Sequence, residues 1–190
     1  MIDDKKKSEI DGLDVTSSTI TSLVSDKALD SSSAELSPKK KSPARKGVSQ
    51  NRRKSRELVL KAVYRGMLNQ SVLASIFRDM VEDPDYKKAD EAYFKHLLEA
   101  VTEHVEELDN NLANFIDRPI AELSPVEHAI LRISGCELMF DLSIPYRVVI
   151  NEGVELAKLY GGTDGHKYIN GVLDKIAAEV RASEVNSARG

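Results

Sequence analysis

Between Ala129 and Leu142 the chain is apolar on nearly every side of a helical wheel. A helix of that kind cannot sit on a surface; it has to be wrapped by other elements. Its start is marked by Ser124-Pro125-Val126-Glu127, which combines an N-cap serine, a proline at the first helical position and a glutamate at the third, the capping-box pattern. Elements able to wrap it are present on both sides. Val59, Leu60, Val63 and Met67 follow the 3-4 spacing of a buried stripe, as do Leu73, Ile76, Phe77 and Met80 before Pro84. Tyr93, Phe94, Leu97, Leu98, Val101, Val105 and Leu108 predict a long third helix, and Leu112, Phe115 and Ile116 a short fourth ending before Pro119. Pro145 opens a sixth helix that stops at Gly161-Gly162. Thr163 or Asp164 caps a seventh, which turns Ile169, Val172, Leu173, Ile176 and Val180 inward. No alternating run bounded by hairpin turns occurs, so the fold class is all-α, with about seven helices.

Residues 1–50 read differently. They hold 14 Ser/Thr and no aromatic residue, and their Leu and Ile stand singly. Such a segment buries too little apolar surface to offset the chain entropy of ordering it, about 1–2 kcal/mol per residue, and is expected to be a disordered extension. Its eight acidic residues argue against a transit peptide. Residues 51–182 form the expected helical domain, and 183–190 a flexible end. Nothing approaches a membrane-spanning length of apolar sequence, the first 20 residues lack a signal-type apolar core, and the single Cys136 supports neither a disulfide framework nor a structural zinc site. The expected location is a reducing cytoplasm.

Charge is unevenly placed. The net charge is −4, yet residues 57–190 alone carry −9, while Leu36 to Arg56 holds nine basic residues and no acid. The cluster Pro38–Lys46 fits a nucleic-acid or nuclear-localisation patch as well as a solvated charge run. On a helix starting at Asn51, Arg52 and Arg56 project along the same side as Val59 and Val63. This predicts that the first turn or two overhang the core, or are unfolded in isolation, and leave Arg52, Arg53, Lys54 and Arg56 exposed, with Tyr64 at the edge of the same surface. Cations at a helix N-terminus oppose the macrodipole, which a bound phosphate would relieve. A second candidate is Lys167 with Tyr168, in the first turn of the seventh helix. The stretch Tyr160–Tyr168 has neither the Gly-Lys-Ser/Thr nor the preceding strand of a phosphate loop, and Gly161, Gly162 and Asp164 are expected to be caps. His96, His104, His128 and His166 have no ligand spacing, Cys136 is expected in the core, and Glu103, Glu106, Glu107 and Asp109 on a solvated face. Glu137, if buried, needs a partner that the sequence does not identify. No catalytic set, metal site or cofactor is implied.

Four strings then add a likeness: R-R-K-S-R-E-L-V-L-K-A-V-Y (Arg52–Tyr64), S-P-V-E-H-A-I-L-R-I (Ser124–Ile133), I-P-Y-R-V-V-I-N-E-G-V-E-L-A-K-L-Y-G (Ile144–Gly161) and D-G-H-K-Y-I-N-G-V-L-D-K (Asp164–Lys175). In this order, over residues 51–182, the chain resembles the bacterial NusB family of transcription antitermination factors. The resemblance implies two packed helical sub-bundles and a non-enzymatic role. It implies binding to the boxA element of nascent, chiefly ribosomal RNA transcripts together with NusE, a small-subunit ribosomal protein, in an antitermination complex with RNA polymerase. It places RNA contact on Arg52, Arg53, Lys54 and Arg56 and on Tyr168, where phenylalanine is more usual, and partner contact near Glu127. Gly165 stands where serine is common. Two other readings stay open: a stand-alone relative of the helical RNA-binding domain of ribosomal RNA cytosine methyltransferases, and a helical protein adaptor without RNA contact.

Overall fold

The structure, a computed structural model, describes residues 44–69 and 72–188. Most of the extension, with much of the Pro38–Lys46 cluster, lies outside the described residues. Those that are described form eight α-helices and no strand. They are α1 (Ala44–Asn69), α2 (Leu73–Val81), α3 (Glu91–Glu103), α4 (Val105–Leu112), α5 (Pro125–Phe140), α6 (Tyr146–Tyr160), α7 (Gly165–Val180) and α8 (Ala182–Ser187). Helix α1 packs on α2, α3 and α5, while α5, α6 and α7 pack on one another, so α1 and α5 join two helical sub-bundles. None of these helices is long and apolar enough to cross a membrane.

Helix α5 occupies the centre, as its all-round apolarity requires. Ala129, Ile130, Leu131, Ile133 and Leu138 are fully buried. Its start is capped as predicted, with the Glu127 amide donating to Ser124 Oγ at 3.2 Å. Gly153 of α6 sets how closely α5, α6 and α7 approach: a Cβ there would lie 2.6 Å from Ser134 Oγ and 2.8 Å from Leu173 Cδ1.

Four boundaries differ from expectation. Helix α1 begins at Ala44, upstream of the periodic stripe. The long third helix is broken at His104, whose backbone (φ −101°, ψ 18°) leaves the helical region and redirects the chain into α4. Leu112 ends α4, and Phe115 and Ile116 follow in a turn instead of forming a helix. The C-terminal end, expected to be flexible, forms α8 with Val185 buried. The hinge before it is Arg181, buried, whose guanidinium donates to the carbonyls of Glu137, Leu138 and Asp141 at 2.6–3.1 Å. A fixed cation thereby sits at the carboxyl end of α5, where the helix dipole favours it.

Candidate nucleic-acid interface

The basic strip lies well inside α1, because the helix starts eight residues before Arg52. A phosphate bound at the strip therefore gains nothing from the macrodipole, whose effect fades beyond the first turn. Nor does the strip overhang the core. Arg56 is 3% exposed; its Nε lies 3.0 Å from both carboxylate oxygens of Glu137, and its Nη2 2.8 Å from Oε1. Glu137, 1% exposed, is thus the buried acid whose partner the sequence does not name. Burial pushes its carboxyl above the ordinary value, against the pull of the Arg56 charge. Arg56 also lies 3.8 Å from Glu152 and over the Tyr93 ring. It shares the core with Val59 because α5 supplies a carboxylate at the right depth. Arg56 is consequently withdrawn from the set of exposed phosphate donors.

The neighbouring cations reach the surface but are paired. Arg52 stacks over Tyr93 at 4.8 Å and lies 3.8 Å from Asp90. Arg53 donates to Glu155 at 2.8 Å. Lys54 donates to Glu57 at 2.6 Å and Asp85 at 3.3 Å, and the Glu57 hydrogen bond raises its pKa most. The Tyr160 hydroxyl, 3.2 Å from the same Glu57 oxygen, extends this surface onto α6. Tyr64 is exposed farther along α1. An anion arriving here meets a ridge of cations that acidic side chains already hold.

Lys167 and Tyr168 form a second group. Lys167 is 72% exposed and reaches back to Asp164 at 2.8 Å. Asp164 occupies the N-cap position of α7 but caps no amide with its side chain; the expected side-chain cap is replaced by this ion pair. Tyr168 is half-buried, and the Arg118 guanidinium sits 4.8 Å from its ring centroid. Burial, then the neighbouring Asp117 charge, pushes the Tyr168 hydroxyl above its ordinary pKa. Arg118 is missed by sequence reasoning because it lies in an aperiodic loop before Pro119; the one available signal is an isolated arginine. Glu127 is half-buried beside the start of α7, with Oε1 3.0 Å from where a Cβ of residue 165 would be. Gly165 thus admits a carboxylate at the amino end of α7, where the helix dipole favours it.

His128, Asp109, Cys136 and Gly161 are structural. His128 and Arg132 converge on Asp109, at 2.8 Å and at 2.6–2.8 Å. Partial burial would raise the Asp109 carboxyl, but the Arg132 and His128 hydrogen bonds and charges outweigh it and hold the group well below the usual carboxylate range. Asp109 is therefore not part of a solvated face. Cys136 is buried, as expected of a core residue, and burial pushes its thiol up to about 12. Gly161 adopts ordinary extended geometry; its reason is space, since a Cβ would meet the Ala157 carbonyl at 2.6 Å.

Comparison with known proteins decides the family. The model of the NusB family matches residues 53–178. The chain belongs to the NusB family. It is 60% identical, over 149 residues, to the transcription antitermination protein NusB of Methylobacillus flagellatus, covering 78% of this chain and 96% of that protein. Among solved structures it is similar to T. maritima NusB (TM-score 0.63, 26% identity, 71% of this chain and 96% of that one). It is also similar to a chain in the crystal structure of the antitermination factors NusB and NusE in complex with dsRNA. There the TM-score is 0.62 and the identity 30%, over 66% of this chain and 95% of that one. Both candidate groups, from Arg53 to Tyr168, fall within the matched span, and Arg52 adjoins it.

Proposed function

We propose that this NusB-family protein is a transcription antitermination factor that binds boxA RNA of nascent, chiefly ribosomal RNA transcripts together with NusE, within the RNA polymerase complex. The likeness to a NusB chain solved with NusE and dsRNA carries this reading. The chemistry of the two residue groups supports it. Arg52, Arg53 and Lys54 contact phosphates, and Arg53 exchanges Glu155 for the RNA at little cost, because both side chains of that pair are more than a third exposed and such pairs contribute only about 0–1 kcal/mol. Arg56 acts indirectly, by fixing α1 against α5. Lys167, Arg118 and the Tyr168 ring form the second contact, with Tyr168 and Tyr64 offering faces or edges to unstacked bases. Glu127, beside this second group, faces NusE. The test is binding of boxA RNA, and of an RNA with the boxA element scrambled, with and without NusE. Tighter binding of boxA RNA in the presence of NusE is expected; equal binding of both RNAs under both conditions would refute the reading.

A further inference from the structure

A cleft of about 230 Å³ lies between α3 and the carboxyl end of α5, and Tyr93, over which Arg52 stacks, is among its lining residues. One wall is aromatic. The His104 and Phe140 rings stack with centroids 4.2 Å apart and planes 20° from parallel, yet Phe140 remains 40% exposed. The rim is acidic. Glu99, Glu103 and Asp141 line it, and among the described residues neither Glu99 nor Glu103 makes a side-chain hydrogen bond or ion pair. The cations that meet residues lining the cleft are committed: Arg56 to Glu137, Arg52 to the Tyr93 ring and Asp90, and Arg181 to carbonyls at the end of α5. Tyr93, 6% exposed, also lines the cleft, and its buried hydroxyl has no partner among the described residues.

We infer that this cleft is a docking site for an arginine side chain carried by a basic segment of a protein partner. Several observations select that occupant. The volume is below the roughly 300–1,000 Å³ of small-molecule sites, so it takes a side chain, not a whole cofactor. The unpaired carboxylates repel phosphate, which excludes nucleic acid. A planar guanidinium satisfies both remaining features at once, stacking on the exposed Phe140 ring while donating to carboxylates, which a lysine ammonium cannot do in the same geometry. The acidic face continues past the rim through Glu106 and Glu107, giving the rest of a basic segment somewhere to lie. This site does not rest on the RNA reading.

The probe is a fluorescent hexa-arginine peptide titrated against the full chain, with amide chemical shifts followed in parallel. Shifts are expected to concentrate around His104 and Phe140. The pair Glu99→Gln/Glu103→Gln should weaken the peptide Kd at least tenfold, and Phe140→Leu, which keeps an apolar group but removes the ring, at least fivefold. A control pair on exposed α7 positions, Asp174→Asn/Glu179→Gln, removes the same charge and should change Kd less than twofold. Melting temperatures of all variants verify that they fold. If the control pair weakens binding as much as the cleft pair, the attraction is diffuse and the site is wrong. An unchanged Kd for Phe140→Leu equally overturns it.

Discussion

Arg56 and Glu137, 81 positions apart, form a doubly hydrogen-bonded ion pair in the core, and so tie α1 to the central helix α5. Breaking one side of such a pair leaves a buried charge without compensation, at a cost of about 3–5 kcal/mol. Arg56→Met should therefore destabilise the fold by about that much at neutral pH, in urea titrations. The pH dependence has a definite sign. With its arginine gone, Glu137 has a folded pKa above its unfolded value, so the folded state holds the proton more tightly and stability falls as pH rises between the two. The variant should accordingly be closer to wild type near pH 5 than at pH 8. A deficit independent of pH would mean that Glu137 is not left buried and unpaired.

Asp109 gives the opposite slope. Its folded pKa lies below the unfolded value, so its contribution is fully present above about pH 4 and is lost as pH falls through the folded value. Asp109→Asn should cost about 1–3 kcal/mol at pH 7 by leaving Arg132 and His128 poorly satisfied. The gap between variant and wild type should narrow in acid. Thermal unfolding from pH 3 to pH 7 measures this directly, and a gap that widens towards acid would contradict it.

Ser124→Ala removes the acceptor for the Glu127 amide and should destabilise the protein by about 0.5–2 kcal/mol. Ser124→Asp, which keeps an acceptor, should recover most of that stability in the same urea titration.

Gly153→Ala brings a methyl group into contact with Ser134 and Leu173. Overpacking of this kind costs about 1–3 kcal/mol, so a clear fall in melting temperature is expected. Gly162→Ala is a suitable comparison, since nothing lies within 4 Å of its added carbon.

These sites mark how far the sequence can be read. The central helix, its serine cap and the apolar faces of α2, α3, α6 and α7 are legible because each depends on near neighbours in sequence, through helical period or cap chemistry; Val180, expected inward, is the exception, exposed at the end of α7. Pairings between distant helices are not. Arg56 and Glu137 each stand out as anomalous, one as a cation beside valines and the other as an acid in an apolar run. Periodicity tells which face of a helix is buried but not which faces meet, so the two halves of one ion pair read as unrelated. Asp109 reads as solvent-exposed for the same reason, its partners lying 19 and 23 positions away. The break at His104 has no proline or glycine to announce it. At the interface, Lys167 and Tyr168 are marked by their place in a first helical turn, whereas Arg118 becomes visible only when the fold lays it over Tyr168.

The central claim is that the exposed part of the basic strip contacts RNA phosphates. Its most direct test is the salt dependence of boxA RNA binding, with NusE present, for wild type and for Arg52→Gln/Arg53→Gln/Lys54→Gln, which leaves the core Arg56 in place. An unchanged fold by circular dichroism and weaker binding at low salt are expected. The log–log salt slope should be shallower by about 0.7 for every single-strand phosphate that the variant no longer neutralises. Wild-type affinity and an unaltered slope in the triple variant would contradict it.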